Sequence, residues 1–331
     1  MTLEGGTKFQ RMARGRKVAL RSIFVLVIAA VALVLVPSKD STGDGSVARA
    51  AASGKILFAR GGEIWMSHDG SNVAITQGGR YWAQPDWAPD GTKLAIVGWG
   101  ANSTDIFTLA SDASDLRQIT RGQSARMAAN EWMFFPRWSP DGQTLAYLSD
   151  RSTNSPMIWT MRADGSNQRQ LTRPRGLLDS WDTFSWSPDG TQLVATGFTG
   201  ATSQIYLINV ARPEAPRALT SEPGGAFDPT WSPDGASIAY ATRDGRRYSV
   251  RMVSTESSEP PITLLQADMA RAPRWAPSGS ALAYLALAGS EFEVFVVNLT
   301  FDPEGHIFAG RPSQVTNRLG VDATSGLSWI P

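Results

Sequence analysis

The sequence predicts an all-β protein, a six-bladed β-propeller closed by its C-terminal strand and preceded by a single N-terminal transmembrane helix. Three observations carry this reading: a short phrase that recurs along the chain, four strand-like runs in each interval between its copies, and one apolar run near the amino terminus. The phrase is Trp138-Ser139-Pro140-Asp141-Gly142, repeated unchanged at 186–190 and 231–235. It recurs with one substitution as Trp87-Ala88-Pro89-Asp90-Gly91, with two as Trp275-Ala276-Pro277-Ser278-Gly279, and incompletely as Trp329-Ile330-Pro331. The six tryptophans Trp87, Trp138, Trp186, Trp231, Trp275 and Trp329 are separated by 51, 48, 45, 44 and 54 residues, a period of propeller-blade length.

Taken in order, residues 1–17 form a basic cytoplasmic tail, with Lys8, Arg11, Arg14, Arg16 and Lys17 against Glu4. Residues 18–36 are apolar apart from Arg21 and Ser22, long enough to cross a bilayer at ~1.5 Å per residue. The basic flank puts the amino terminus inside and everything after Pro37 outside the cytoplasmic membrane. The apolar run also suits a signal peptide, with secretion after cleavage as the alternative, but the small-residue site Ala48-Arg49-Ala50 lies far from it, which favours an uncleaved anchor. Residues 37–53, rich in Ser, Gly and Ala, read as a flexible linker, and 54–331 as the propeller.

Within each repeat, proline presets φ for a turn, aspartate bonds its own backbone and glycine takes the positive φ that follows, so the phrase ends one strand and turns into the next. Second strands follow at 94–97, 145–148, 193–196, 238–241 and 282–285, apolar except for Thr196. Third strands are expected at 64–66, 106–109, 158–161, 205–208, 249–252 and 294–297, and fourth strands at 73–76, 117–120, 169–172, 217–220, 262–265 and 313–316. Residues 55–60 begin a blade that lacks its first strand, and 326–330 supply a first strand without a blade. Joined, they make a sixth blade and close the ring, leaving no open sheet edge.

The residues Pro136-Arg137-Trp138-Ser139-Pro140-Asp141-Gly142, Leu145-Ala146-Tyr147, Ile158-Trp159, Ala163-Asp164-Gly165 and Arg169-Gln170-Leu171-Thr172 resemble the TolB-type, WD-like propeller repeat. The resemblance covers 55–331. It implies the fold and an exported binding or scaffold role at the cell envelope, and says less about function, because the repeat consists of turn and packing residues. The chain departs from TolB in its anchor and in lacking the α/β domain that precedes the propeller there, so a role in Tol-Pal assembly does not carry over. Similar repeats precede a serine hydrolase domain in prolyl-peptidase-like enzymes, but no Gly-x-Ser-x-Gly elbow occurs in this sequence, and that activity is not expected.

Composition narrows the chemistry. The absence of cysteine removes disulfides, thiolate metal sites and a cysteine nucleophile. A net charge of +1 offers no general attraction for nucleic acid, and none is expected as a partner. His68 and His306 are too few, and too poorly provided with carboxylate partners, to suggest a metal, so no cofactor, metal or catalytic residue is expected. The repeated Asp90, Asp141, Asp189 and Asp234 are explained by the turn, and the six motif tryptophans as wedges between blades.

What exceeds the repeat is the segment leading into each first strand. These segments hold Tyr81, Trp82, Glu131, Trp132, Trp181, Asp182, Phe227, Asp228, Arg271 and Asp322. In a propeller they converge on one mouth of the central channel, where aromatic and charged side chains would bind a protein, peptide or glycan. A non-catalytic binding or scaffold propeller is therefore the expected function. The alternative is a carbohydrate-active lyase or hydrolase using carboxylates at this mouth, such as Asp182 and Asp228.

Overall fold

A computed structural model describes residues 54–125, 129–176, 178–256, 259–302 and 306–331. The expected tail, membrane helix and linker lie outside the described residues. Among those described, no helix is long and apolar enough to cross a membrane.

The chain builds one antiparallel sheet after another. Strands β1 (Lys55–Arg60), β2 (Glu63–His68) and β3 (Ser71–Ala74) are followed by β4 (Tyr81–Trp87), β5 (Lys93–Trp99), β6 (Thr104–Ala110) and β7 (Arg117–Gln118). The third sheet holds β8 (Met133–Trp138), β9 (Thr144–Ser149), β10 (Met157–Arg162) and β11 (Arg169–Gln170). The fourth holds β12 (Leu178–Trp186), β13 (Gln192–Thr199), β14 (Thr202–Asn209) and β15 (Arg212–Ala218). The fifth holds β16 (Ala226–Trp231), β17 (Ser237–Asp244), β18 (Arg247–Ser254) and β19 (Ile262–Gln266). The sixth holds β20 (Arg271–Trp275), β21 (Ala281–Ala288), β22 (Glu291–Phe301), β23 (Ile307–Ala309) and β24 (Ser313–Gln314). Finally β25 (Ser328–Ile330) pairs with β1, Lys55 opposite Ile330, Ile56 opposite Trp329 and Leu57 opposite Ser328. It completes the first sheet in the order β25-β1-β2-β3, giving the six blades and the ring closure read from the sequence.

The second strand of a blade is covered by neighbouring blades on both faces, which is why its middle is a nearly continuous apolar run rather than alternating; Leu94, Ala95, Ile96 and Val97 are fully buried. The turn between the first two strands uses the side chains expected of it. Asp141 Oδ1 accepts the Gln143 N–H at 3.0 Å and the Ser139 hydroxyl at 2.5 Å, and Asp189 and Asp234 repeat the pattern. These bonds hold all three carboxyls below the usual carboxylate range.

Two features of the outer strands differ from expectation. Thr76, Thr120, Thr172, Thr220 and Thr316 were expected to end fourth strands, but the strands stop before them. Their hydroxyls instead accept the backbone N–H of Ile64, Ile106, Ile158, Ile205 and Val294 at 2.8 to 3.0 Å. A side chain thus continues the ladder where the backbone turns away, and satisfies a buried donor. In the last blade β23 lies between the expected third and fourth strands and pairs with an extension of β22.

Candidate binding site at the channel mouths

The first strands β4, β8, β12, β16, β20 and β25 are innermost in their sheets. All but β25 carry a register shift. Three residues before the motif tryptophan, φ is +53° at Gln84, +50° at Phe135, +54° at Asp228, +48° at Ala272 and +65° at Gly326. In the fourth blade this position is the β-branched Thr183, and φ is not positive there. The extra residue of a bulge shifts the parity of the strand. Trp82 consequently lies on the same blade face as Trp87, packed with Leu94 and Ile96.

This bulge separates the candidate residues into two groups. Trp82 and Trp181 turn into the blade core, at 4% and 2% exposure. They meet Phe107 and Tyr206 edge-on, at centroid distances of 5.1 and 5.8 Å. Opposite each stands a glycine: a Cβ on Gly98 would come within 2.9 Å of Trp82, and one on Gly197 within 3.0 Å of Trp181.

The others remain partly or largely accessible, apart from Asp228, which is buried. Tyr81 is 49% exposed and donates its hydroxyl to Asp322 at 3.0 Å, a carboxylate that also accepts the Gly61 N–H. Burial and this carboxylate push the phenol up to about 12. From Tyr81 an aromatic shelf runs across the second and third blades: Tyr81 meets Trp99 at 6.2 Å, Trp99 meets Trp132 at 5.7 Å, and Trp132 stacks on Phe134 at 6.2 Å. Glu131 borders it, paired with Arg151 at 2.7 Å, whose guanidinium lies over Trp159.

The fourth to sixth blades bring together Asp182, Thr183, Asp228 and Arg271. Thr183 donates to Asp228 at 3.1 Å, Arg271 stands 3.6 Å from the same carboxylate, and the Ala272 N–H donates to it at 3.0 Å. Asp182 is pushed up to about 6 by burial and by Asp228, against the pull of Arg271. Phe227 lies partly exposed in the adjoining segment.

Toward the opposite end of the channel is a cluster that sequence reasoning missed. Asp86, in the second blade, lies 3.8 Å from Arg137 of the third and 3.5 Å from Arg274 of the sixth. The third and sixth blades stand across the ring from one another, so the cluster bridges the channel. Asp86 also accepts the Trp138 N–H at 2.9 Å and the Ser328 hydroxyl at 3.0 Å. Outside this bar is a cavity of about 380 Å³ rimmed by all six motif tryptophans and the prolines that follow them. The tryptophans therefore serve both as buried wedges and as the wall of a mouth. The available signal was positional: Asp86, Arg137, Ser185, Thr230, Arg274 and Ser328 each precede a motif tryptophan, and all line this cavity.

His68 contacts Gly54 and Asp69, and His306 pairs with Asp302 at 2.8 Å. Among the described residues, no group of three His, Cys, Asp or Glu side chains could hold a metal ion.

Fold and site together define a closed six-bladed propeller whose axis is bridged by charge and whose two mouths differ in chemistry. The propeller is TolB-like: residues 177–314 match the family described as TolB beta propeller domain. The chain is 29% identical over 195 residues to an uncharacterized peptidase, YuxL, of Bacillus subtilis, covering 47% of this chain and 29% of that protein. It is 32% identical over 140 residues to the Tol-Pal system protein TolB of Anaeromyxobacter dehalogenans, covering 42% and 29%. The chain thus spans under a third of the length of either relative. Among solved structures, TolB from Acinetobacter baumannii superposes with a TM-score of 0.65 at 19% identity, covering 84% of this chain and 67% of that one, a likeness of fold alone.

Proposed function

We propose that the protein is a non-catalytic binding propeller that recognises a protein, peptide or glycan at the cell envelope through the mouth formed by the lead-in segments. In this reading residues 18–36 hold it in the cytoplasmic membrane, with 1–17 inside and the propeller outside. The observation that carries it is the aromatic shelf from Tyr81 to Phe134. Its rings are fixed by edge and stacking contacts, Tyr81 keeps half its surface open, and charged pairs flank it. Rigid aromatics lose little entropy on binding, and Trp99 and Trp132 are partly open beside Tyr81, which suits a recognition face. Similarity to a Tol-Pal system protein supports an envelope role.

The test is a crosslinked pull-down from membranes with the full chain as bait, repeated with Tyr81→Ala and Phe227→Ala. Capture that survives both substitutions argues against this face. Gel mobility of the full-length and mature protein tests the anchor, which is disproved by a mature chain starting near Ala51.

A second reading, a carbohydrate-active lyase or hydrolase, is favoured by one observation. Asp182 retains its proton to about pH 6 beside Asp228, a pairing suited to general acid and base. Release of oligosaccharide from envelope polysaccharide, abolished by Asp182→Asn, supports it; release unchanged in that variant defeats it.

A further inference from the structure

We infer that the opposite mouth, walled by the motif tryptophans and prolines, binds the free carboxyl terminus of an extended peptide that carries Lys or Arg a few residues before its end. This is a second site, separated from the lead-in mouth by the ionic bar, and it stands whether or not the function proposed above does.

Asp86 is the acceptor at the floor of this mouth, and its best positions are already taken. One oxygen accepts the Trp138 N–H at 2.9 Å, and the other the Ser328 hydroxyl at 3.0 Å. Two guanidiniums must share what remains. Arg137 is buried and finds further partners in the carbonyls of Pro85 and Pro136 and the face of Phe135. Among the described residues Arg274 has one ion-pair partner, Asp86 at 3.5 Å, and its side chain is 24% exposed at the cavity floor. A guanidinium has five N–H donors in a planar fork that matches a carboxylate. Arg274 therefore presents donors toward the mouth, and the charged side chains lining the cavity are one carboxylate, Asp86, and two arginines. Deeper in the channel, Asp228 faces Arg271 at 3.6 Å and is engaged there.

Around the outside of the same mouth lie the Pro-Asp-Gly turns, with Asp90, Asp141, Asp189 and Asp234 exposed. Hydrogen bonds from neighbouring Ser, Thr and backbone groups hold all four carboxyls ionised. The mouth is thus cationic at its floor and anionic at its collar, with an apolar wall between. An anion alone would be repelled on approach. A chain end with a carboxylate at its tip and basic residues a few positions upstream, at ~3.3 Å per extended residue, complements both layers. The cavity lies at the small end of the ligand range, and the ionic bar stops a chain from threading through, which selects a terminus over an internal segment.

The test uses the full chain and a fluorescein-labelled peptide, Gly-Lys-Arg-Pro-Gly-Leu, as free acid, as C-terminal amide, and as free acid with Lys and Arg replaced by Ser. Binding is read by anisotropy at low and at physiological salt. The free acid is expected to bind about tenfold or more tightly than the amide, the effect of a charge-assisted hydrogen-bonded pair. Arg274→Gln abolishes that preference and Arg274→Lys keeps part of it, with urea midpoints confirming that both variants fold. Replacing the basic residues weakens binding severalfold and flattens its salt dependence. Equal binding of acid and amide, a preference that survives Arg274→Gln, or no binding of the free acid up to about 1 mM overturns the inference. Tyr81→Ala should leave this binding unchanged, so the outcome is separate from that of the lead-in mouth.

Discussion

Asp182→Asn should make the folded protein more stable relative to the parent as pH rises. The Asp182 carboxyl ordinarily titrates at 3.8, and in the folded chain it is raised to about 6 by burial and by Asp228. Below pH 3.8 the group is protonated in both folded and unfolded chains and contributes nothing to the pH dependence. Between 3.8 and about 6 the unfolded chain releases the proton while the folded chain retains it, so stability falls with pH. The full gap corresponds to about 3 kcal/mol at 1.36 kcal/mol per pH unit, and the partial exposure of Asp182 reduces this to about 2 kcal/mol. Above about 6 the loss is constant. Asparagine does not ionise, so this slope disappears in the variant. Urea midpoints measured from pH 4 to 8 should show the variant gaining about 2 kcal/mol on the parent across that interval. Parallel profiles for the two proteins, or an Asp182 carboxyl that titrates near 3.8 by carbon NMR, would refute the electrostatic account of this face.

Other consequences are equally open to measurement. Trp329→Ala empties a core position shared with Ile56, Phe58 and Leu327 and should cost about 3 to 5 kcal/mol in urea unfolding; a loss under about 1 kcal/mol would mean that the closing strand contributes little to the ring. Thr316→Val leaves the Val294 N–H and the Glu293 carboxylate without the hydroxyl that joins them, at about 1 to 3 kcal/mol, and hydrogen exchange should show the Val294 amide opening faster. Tyr81 should ionise near pH 12 by ultraviolet titration, and Asp322→Asn should lower it only part of the way, since burial, the larger cause, remains; no change in the variant would place the cause outside their pairing.

The fold was legible because its information repeats. Any one strand of four to eight residues is ambiguous, but six copies of a Trp-Pro turn fix the blade length, and the incomplete copy at Trp329 pairs with β1 as expected. The site was legible only in part, because its determinants occur once each. Asp86, Arg137 and Arg274 were marked only by standing directly before motif tryptophans, and that position alone does not pair their charges across the ring. The inward turn of Trp82 and Trp181 depends on a bulge that changes strand parity at a residue with no sequence signature, being Gln in one blade, Phe in another and Asp in a third. A clue was present in Gly98 and Gly197: a glycine inside a strand marks close approach by a large neighbour, and each stands opposite one of those tryptophans. The threonine clamps fall at the ends of runs expected as fourth strands, and Thr is at home in strands; their side chains serve the ladder instead.

The proposed recognition face is the mouth at which Tyr81 stands. The most direct measurement places a photo-crosslinking amino acid at Tyr81 of the full chain, and at Val73, Leu116 and Ile262 on outer surfaces, three positions that are likewise exposed, followed by irradiation of intact cells. Recognition through this mouth predicts a discrete adduct of one size from Tyr81 and none from the outer positions. Adducts of equal yield from all four, or from an outer position alone, would contradict it.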